Sequence, residues 1–233
     1  MSNNNEIINF YDLKQVKKYS TKYHNPNYNE CKISHPFRMC VVSPSGTRKT
    51  NFICNLIKKM PDTYSHIYLC CKTNIDDEPL YKTLVEYLKD DITFYQNITE
   101  FPELDELKII GQTLVIFDDC VNEKNLKKVE DIYQRGRKTD LFGISVAFLT
   151  QSYFKVPTFI RRNTNYMIIL KLSGKRDMSL ILSDFCNEID LETLKQIYND
   201  ATKLKFHFLK IDVGNSDINN KFNHNFNEFY QIE

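Results

Sequence analysis

The segment 41–50, VVSPSGTRKT, constrains this chain most strongly because it joins an apolar run to a turn and then to a Lys-Thr pair. This order is typical of a phosphate-binding loop, in which backbone N–H groups at a helix N-terminus surround phosphate oxygens. Lys49 would neutralise the β- and γ-phosphates, and the hydroxyl of Thr50 would ligate Mg²⁺. The alternative is a strand, turn and helix with an incidental Lys-Thr pair. The predicted cofactor-binding residues are Ser45, Gly46, Thr47, Arg48, Lys49, Thr50 and Asn51.

Two positions of the loop depart from the pattern G-x-x-x-x-G-K-[ST]. Ser43 stands at the first glycine position and Arg48 at the second, so Gly46 is the one permissive residue within the loop. The flanking sequence supports the loop. Residues 37–42 have the apolar composition of a buried strand, and the apolar residues of 52–60 recur at helical spacing before a proline.

A second informative stretch, 113–119, has four consecutive apolar residues that end in two aspartates. Such a run is typical of a central parallel strand covered on both faces, and ligands of these sheets bind beyond the carboxyl ends of the strands. Asp118 is therefore predicted to hold Mg²⁺, and Asp119 to orient or deprotonate an attacking water. The alternative is a strand followed by a helix cap, since Asp is a favoured N-cap residue.

Gln151 follows another predicted strand, 144–149, and so is expected at the same edge of the sheet. Its amide can bond both a γ-phosphate and a water, and capping of the next segment is the alternative. Arg135 and Arg137 are further candidates for contact with phosphate or DNA. They flank a glycine at the basic end of a predicted helix, where ordinary helix-dipole chemistry also explains them.

The remaining pattern predicts an α/β fold with a mainly parallel central sheet. Further strands are expected over 65–70, 91–95, 166–170 and 206–213, the last of which closes the sheet. Helices are expected over 80–88, 101–107, 126–138, 156–162, 177–187 and 190–200. The predicted organisation is an N-terminal arm over 1–35, one domain over 36–212 and a C-terminal tail over 213–233.

Composition limits the possible classes of protein. With 31 basic and 30 acidic residues the net charge is +1, so nucleic-acid binding would need local basic patches. No apolar run approaches the ~20 residues that cross a bilayer, and the N-terminus is unlike a signal peptide. Seven cysteines without a C-x-x-C pair predict reduced thiols in a cytosol-like compartment.

Together, five segments resemble the genome-packaging ATPases of large DNA viruses and virophages, including the poxvirus-like ones, within the FtsK/HerA superfamily. The similarity covers about residues 36–212, and 135–166 is its most specific part. The segments are the phosphate loop, 117–119, 135–137, 149–154 and 160–166.

The resemblance implies a three-layer RecA-like (ASCE) P-loop NTPase that hydrolyses ATP with Mg²⁺. It implies a homo-oligomeric ring, a pentamer or hexamer, that pumps double-stranded DNA into a capsid through contact with capsid vertex or portal proteins. Lys49 and Thr50 match the Walker A lysine and hydroxyl, Asp118 and Asp119 match Walker B, and Gln151 matches the polar sensor. The resemblance also implies arginines that act in trans on a neighbouring subunit, and the candidates are Arg135, Arg137, Arg161 and Arg162. The expected location is the virus factory in the host cytoplasm, or the virion.

Two other functions are compatible with the sequence. The departures at Ser43 and Arg48 suggest a degenerate P-loop protein that binds nucleotide or DNA as a scaffold without turnover. A small-molecule or nucleotide kinase ranks lower, because no lid segment is evident and adjacent aspartates suit activation of water better.

Overall fold

The fold is built on one sheet of nine strands in the computed structural model, which describes residues 7–17, 24–46, 48–122, 126–186 and 188–232. The strands are β1 (Arg38–Val42), β2 (His66–Cys71), β3 (Ile92–Tyr95), β4 (Thr113–Asp118), β5 (Ile144–Thr150), β6 (Tyr166–Leu170), β7 (Phe208–Asp212), β8 (Phe222–His224) and β9 (Glu228–Phe229). The α-helices are α1 (Lys14–Lys17), α2 (Tyr28–Cys31), α3 (Arg48–Lys59), α4 (Pro79–Leu88), α5 (Lys127–Arg135), α6 (Thr158–Asn163), α7 (Lys175–Phe185), α8 (Leu191–Ala201) and α9 (Ile218–Lys221).

Strand order places three carboxyl ends side by side. The order is β3-β2-β4-β5-β1-β6-β7-β8-β9, and the first six of these strands run parallel. β5 therefore lies between β1, which enters the phosphate loop, and β4, which carries the aspartates. In register, Val42 pairs with Thr150 and Asp118 pairs with Leu149. Side chains that follow these three strands consequently meet at one edge of the sheet.

Helices cover both faces of the sheet and make a three-layer structure. Alternate residues of β1 enter different cores, because Cys40 and Val42 pack on one face and Met39 and Val41 on the other. The face of Val41 is covered by α3 and α4, and the face of Val42 by α5 to α8. Every residue of β4 and β5 is buried, as expected for parallel strands between helical layers. The predicted mainly parallel α/β fold is confirmed.

The prediction of a helix over 101–107 is wrong. The segment contains only a 3₁₀ turn over Leu104–Glu106. Phe101, Leu104 and Leu107 are all buried, and their spacing of three residues matches one 3₁₀ turn. Such a spacing resembles a short helical pattern in sequence, which explains the error.

The prediction that the strand over 206–213 closes the sheet is also wrong. β8 and β9 continue the sheet beyond β7 in antiparallel order. The reason is hydrophobic, since Phe222 is fully buried on one face of the sheet and Phe226 is almost fully buried on the other. The domain boundaries predicted at 35 and 213 stay predictions. Among the helices of the described ranges, none has the length and apolar character that a bilayer crossing requires.

A buried lysine ties the C-terminal segment to the region after α2. Lys210 on β7 is fully buried, and its ammonium donates hydrogen bonds to the backbone carbonyls of Cys31, Lys32 and Phe226. Burial lowers the pKa of Lys210 to about 8. Three carbonyls from two distant parts of the chain thus depend on one side chain.

We expect Lys210→Met to lower the free energy of unfolding by about 3 kcal/mol, because the three carbonyls lose their donor while remaining buried. Urea unfolding followed by circular dichroism measures this change. The matched control is Lys203→Met, since Lys203 is exposed. Equal stability of the two variants would contradict a structural role for the buried ammonium.

Candidate active site

The predicted site residues come from three adjacent elements at the carboxyl edge of the parallel strands. Lys49 lies in the first turn of α3, directly after the loop that leaves β1. Asp118 is the last residue of β4 and Asp119 follows it. Gln151 follows the last residue of β5, between the other two elements. Strand order alone therefore brings these residues together.

Lys49 is the centre of the group. Its side chain is only 5% exposed, and its Nζ lies 3.2 Å from Asp119 Oδ2 and 4.0 Å from Asp118 Oδ1. A buried ammonium requires a nearby counter-charge, which both aspartates provide. The Lys49 ammonium therefore points toward the two aspartates. A phosphate bound in the loop would be an anion that competes with them for this ammonium.

Asp119 is held on two sides. The Gln151 amide donates a hydrogen bond of 2.8 Å to Asp119 Oδ2, the same oxygen that contacts Lys49. The backbone of Asp119 has a φ of 56° and its N–H donates to the Leu149 carbonyl at 3.1 Å. Asp tolerates this left-handed conformation better than most residues. A cavity of about 110 Å³, lined in part by Asp119 and Gln151, adjoins the pair and has room for water.

Asp118 is buried more deeply and has a different environment. The Tyr81 hydroxyl donates a 2.8 Å hydrogen bond to Asp118 Oδ2. Burial raises the pKa of Asp118 to about 6, opposed by Lys49 and the Tyr81 hydrogen bond and reinforced by Asp119 and Glu78. The other oxygen, Oδ1, is buried and accepts no hydrogen bond from any described residue. Buried polar atoms in proteins are usually hydrogen-bonded, so this orphaned oxygen is a position that a bound ligand or a hydrogen-bond donor would satisfy.

The residues present fit the predicted Mg²⁺. The orphaned Asp118 Oδ1 supplies one hard oxygen, and the buried Thr50 supplies a hydroxyl from the first turn of α3. Within the described ranges, no group of three or more His, Cys, Asp or Glu side chains forms a metal cage. That agrees with Mg²⁺ chemistry, in which one or two protein ligands combine with substrate phosphates and water.

The phosphate loop accommodates its two missing glycines. Gly46 has a φ of 111°, which suits glycine, whereas Ser43 has no positive φ. Arg48 is the first residue of α3, and its guanidinium donates to the Lys171 carbonyl at 3.5 Å, at the end of β6. Of the other predicted loop residues, Ser45 is exposed and Asn51 is half-buried. Thr47 lies outside the described residues.

Two of the predicted arginines, Arg135 and Arg137, lie toward the other edge of the sheet. Arg135 ends α5 and pairs with Asp131 at 2.8 Å, and the neighbouring Gly136 packs against Ile144 at the start of β5. Arg137 lies near Arg38 at the start of β1, where burial and then the Arg137 charge lower the pKa of Arg38. The amino-terminal starts of β1 and β5 are remote from the edge that holds Lys49.

Arg161 and Arg162 belong to α6, whose last residue, Asn163, accepts a hydrogen bond from Arg38. Arg161 packs over the Tyr153 ring and lies 3.6 Å from Asp184, while Arg162 is exposed. Both arginines line a cavity of about 520 Å³. The resemblance implied that all four arginines act on a neighbouring subunit. Their action across a subunit interface stays a prediction.

Two residues of the site were missed by the sequence reasoning. Tyr81 precedes Leu84 by three residues, so the helical spacing of α4 places it on the buried face with a hydroxyl that needs a partner. That signal could have identified it. Glu78, just before α4, has a buried Oε1 with no hydrogen-bond partner in the described part of the chain. No sequence pattern indicated its proximity to Asp118.

A comparison with family models matches residues 26–199 to the family described as Poxvirus A32 protein. The chain belongs to that family. This membership confirms the resemblance to poxvirus-like packaging ATPases that the sequence motifs predicted. No curated protein sequence matches the chain significantly.

Solved structures share the fold of this Poxvirus A32 family protein. The genome packaging NTPase B204 of Sulfolobus turreted icosahedral virus 2, solved with sulfate, aligns with a TM-score of 0.54 and 16% identity over 78% of this chain and 94% of B204. The same protein in complex with ATP-gammaS aligns with a TM-score of 0.52 and 15% identity, again over 78% of this chain and 94% of B204. B204 from Sulfolobus turreted icosahedral virus, a DNA-packaging ATPase, aligns with a TM-score of 0.53 and 14% identity. This alignment covers 82% of this chain and 94% of B204. At these identities the matches show the fold alone.

We expect the stability of the nucleotide-free A32 family protein to fall as pH rises from about 4 through about 6. The proton on Asp118 stabilises the folded state below its raised pKa, and this contribution is lost when the buried carboxyl ionises. Asp118→Asn keeps a neutral side chain, so its stability relative to wild type should rise across this window by at most about 3 kcal/mol. Urea unfolding at several pH values tests this, with the exposed Glu86→Gln as control. A pH-independent difference between wild type and Asp118→Asn would refute the assignment.

We expect Tyr81→Phe to lower the free energy of unfolding by about 2 kcal/mol at pH 7.5, where Asp118 is ionised, because a hydrogen bond to a buried charge is lost. At pH 4.5, where Asp118 is protonated, the loss should be smaller. Tyr87→Phe, on the exposed side of the same helix, is the matched control. Equal losses at both pH values would mean that Tyr81 stabilises the protein by packing and not by holding the carboxylate.

Proposed function

We propose that this protein is an ATP hydrolase that packages viral DNA by coupling hydrolysis to the translocation of double-stranded DNA into a capsid. One observation carries the proposal: Lys49, Asp119 and Gln151 form one hydrogen-bonded group at the mouth of the phosphate loop. Family membership and the fold shared with B204 support the same conclusion.

Each side chain has a chemical task in this proposal. Lys49 moves from Asp119 to the β- and γ-phosphates of ATP and neutralises their charge. Asp119, released from Lys49, accepts a hydrogen bond from the attacking water and orients it with the Gln151 amide. Asp118 and Thr50 would hold Mg²⁺, which would supply positive charge to screen the phosphates.

The proposed partners are double-stranded viral DNA, the capsid vertex or portal, and other copies of this chain in a ring of five or six. One observation bears on the ring. Arg135 and Arg137 lie away from Lys49 in their own subunit, so either of them must reach a neighbour's site to serve catalysis. With a net charge of +1, the DNA would contact only local basic surfaces. Such a motor would work in the host cytoplasm where virions assemble.

The alternative function is a nucleotide- or DNA-binding scaffold without turnover. The departures at Ser43 and Arg48 motivate it. The backbone argues against it, because Ser43 has no positive φ and Arg48 lies in the first turn of α3. The kinase alternative gains nothing from the site, since Asp119 and Gln151 border a cavity suited to water.

The test is phosphate release from Mg-ATP, with and without linear double-stranded DNA, at protein concentrations that span assembly. We expect DNA to stimulate turnover, and Lys49→Ala and Asp119→Asn each to reduce it by about 100-fold or more, because each removes a group that acts on the transferred phosphate or the water. Lys138→Ala, at the opposite edge of the sheet, is the lysine control and should retain activity.

Turnover that survives both active-site substitutions would exclude the proposed site. A confirmed ring that binds DNA and shows no turnover would establish the scaffold function instead. Phosphate transfer that requires an added acceptor would identify a kinase.

A further inference from the structure

A cavity of about 470 Å³ lies along α3, on the side of β1 opposite to Asp119. Its walls come from α3, from the residues before β7 and from the turn after β8. Neither the sequence motifs nor the catalytic group explains it. The residues that matter here are Asn51, Asn55, Phe206, His207 and Asn225.

Topology places this cavity at the same edge of the sheet as the phosphate loop. β7 runs antiparallel to β6 with Phe208 opposite Leu170, so the residues before β7 emerge where β1 and β6 end. The turn after β8 returns to the same place, because Asn225 N–H donates to the Phe208 carbonyl. Asn51 directly follows Thr50, so the cavity begins one residue beyond the phosphate-binding turn.

Phe206 presents an aromatic face at this cavity. Its side chain is 41% exposed, and the Lys205 ammonium lies 4.8 Å from the ring centroid. Its backbone has a φ of 70°, a conformation that bulky side chains rarely adopt and that is found at ligand clamps. A glycine would be the ordinary choice there, so an exposed phenylalanine requires a reason beyond the fold.

Asn51 lines the same cavity and supplies unused hydrogen-bonding groups there. Its side-chain amide has no partner among the residues that the structure describes, and its backbone carbonyl accepts from Asn55 at 2.8 Å. His207, in contrast, is already bonded to His224 at 2.7 Å and forms a fixed wall. An amide with one donor and one acceptor side can pair bidentately with the N6/N7 edge of adenine.

We propose that this cavity binds the purine base of the nucleotide, with Phe206 stacking on the base and Asn51 reading its edge. The inference rests on the proposed nucleotide site at Lys49, which binds the phosphates, and adds the part of that site that recognises the base. The phosphates and the base would then lie on either side of the start of α3, and the catalytic group would remain on the far side of β1. The cavity volume lies within the usual range of ligand sites.

The experiment compares the affinity of the full chain for ATP, CTP and inorganic tripolyphosphate by isothermal titration calorimetry. Phe206→Gly is the informative variant, because glycine suits the positive φ and the fold should be at least as stable. We expect it to weaken ATP binding on the order of tenfold, to leave tripolyphosphate binding unchanged and to reduce the preference for ATP over CTP. Phe206→Tyr should restore ATP affinity, and Leu204→Ala, an exposed apolar residue of the same loop, should change nothing.

The outcomes separate this proposal from the function on which it rests. Equal weakening of ATP and tripolyphosphate binding by Phe206→Gly, or no change in either, would overturn the base site. Lys49→Ala tests the phosphate site independently, since it should abolish binding of both ligands. Retention of both by Lys49→Ala would overturn the proposed nucleotide site instead. Thermal unfolding of each variant shows whether a loss of affinity reflects loss of fold.

Discussion

The contact between Lys49 and Asp119 is the interaction on which the arrangement of the site depends. The Lys49 side chain is only 5% exposed, so its charged form requires a nearby anion to offset the cost of desolvation. The nearest carboxylates lie at the end of a different strand, β4. In the sheet, β5 lies between β1 and β4. The loop after β5 therefore lies between the phosphate loop and the loop that carries Asp119. Gln151 occupies that third loop and bonds the same oxygen of Asp119. The arrangement of the candidate site is therefore a consequence of strand order.

Much of this arrangement could be predicted because the relevant signals are local. The run before Asp118 has no polar residue on either face, which only a central parallel strand between helical layers tolerates. Asp118, Asp119 and Gln151 then follow from the rule that parallel strands share a carboxyl edge. Strand order was not predicted from any residue, and it is what decides that Gln151 lies between Lys49 and Asp119.

The errors have an equally physical origin. The strands β8 and β9 were missed because the polar Asn-rich tail hides two buried phenylalanines that reach opposite cores. The partner of Asp118 was missed because Tyr81 lies 37 residues away in sequence and reads as an ordinary core residue of α4.

The way the phosphate loop presents Lys49 follows from its two non-glycine positions and from the ion pair with Asp119. Glycine is needed in such a loop where φ is positive, and here Gly46 alone among the described loop residues has that requirement, since α3 begins at Arg48. The loop is therefore built to present Lys49 and not to strain its backbone. Lys49 contacts Asp119 through the same oxygen that Gln151 bonds, so an anion that attracts the ammonium weakens only one of the two bonds to that oxygen. Asp119 then keeps its orientation through Gln151 and gains a free lone pair beside a cavity with room for water. In the proposed mechanism, the arrival of a phosphate draws Lys49 away from Asp119, while Gln151 keeps the carboxylate in place beside that cavity.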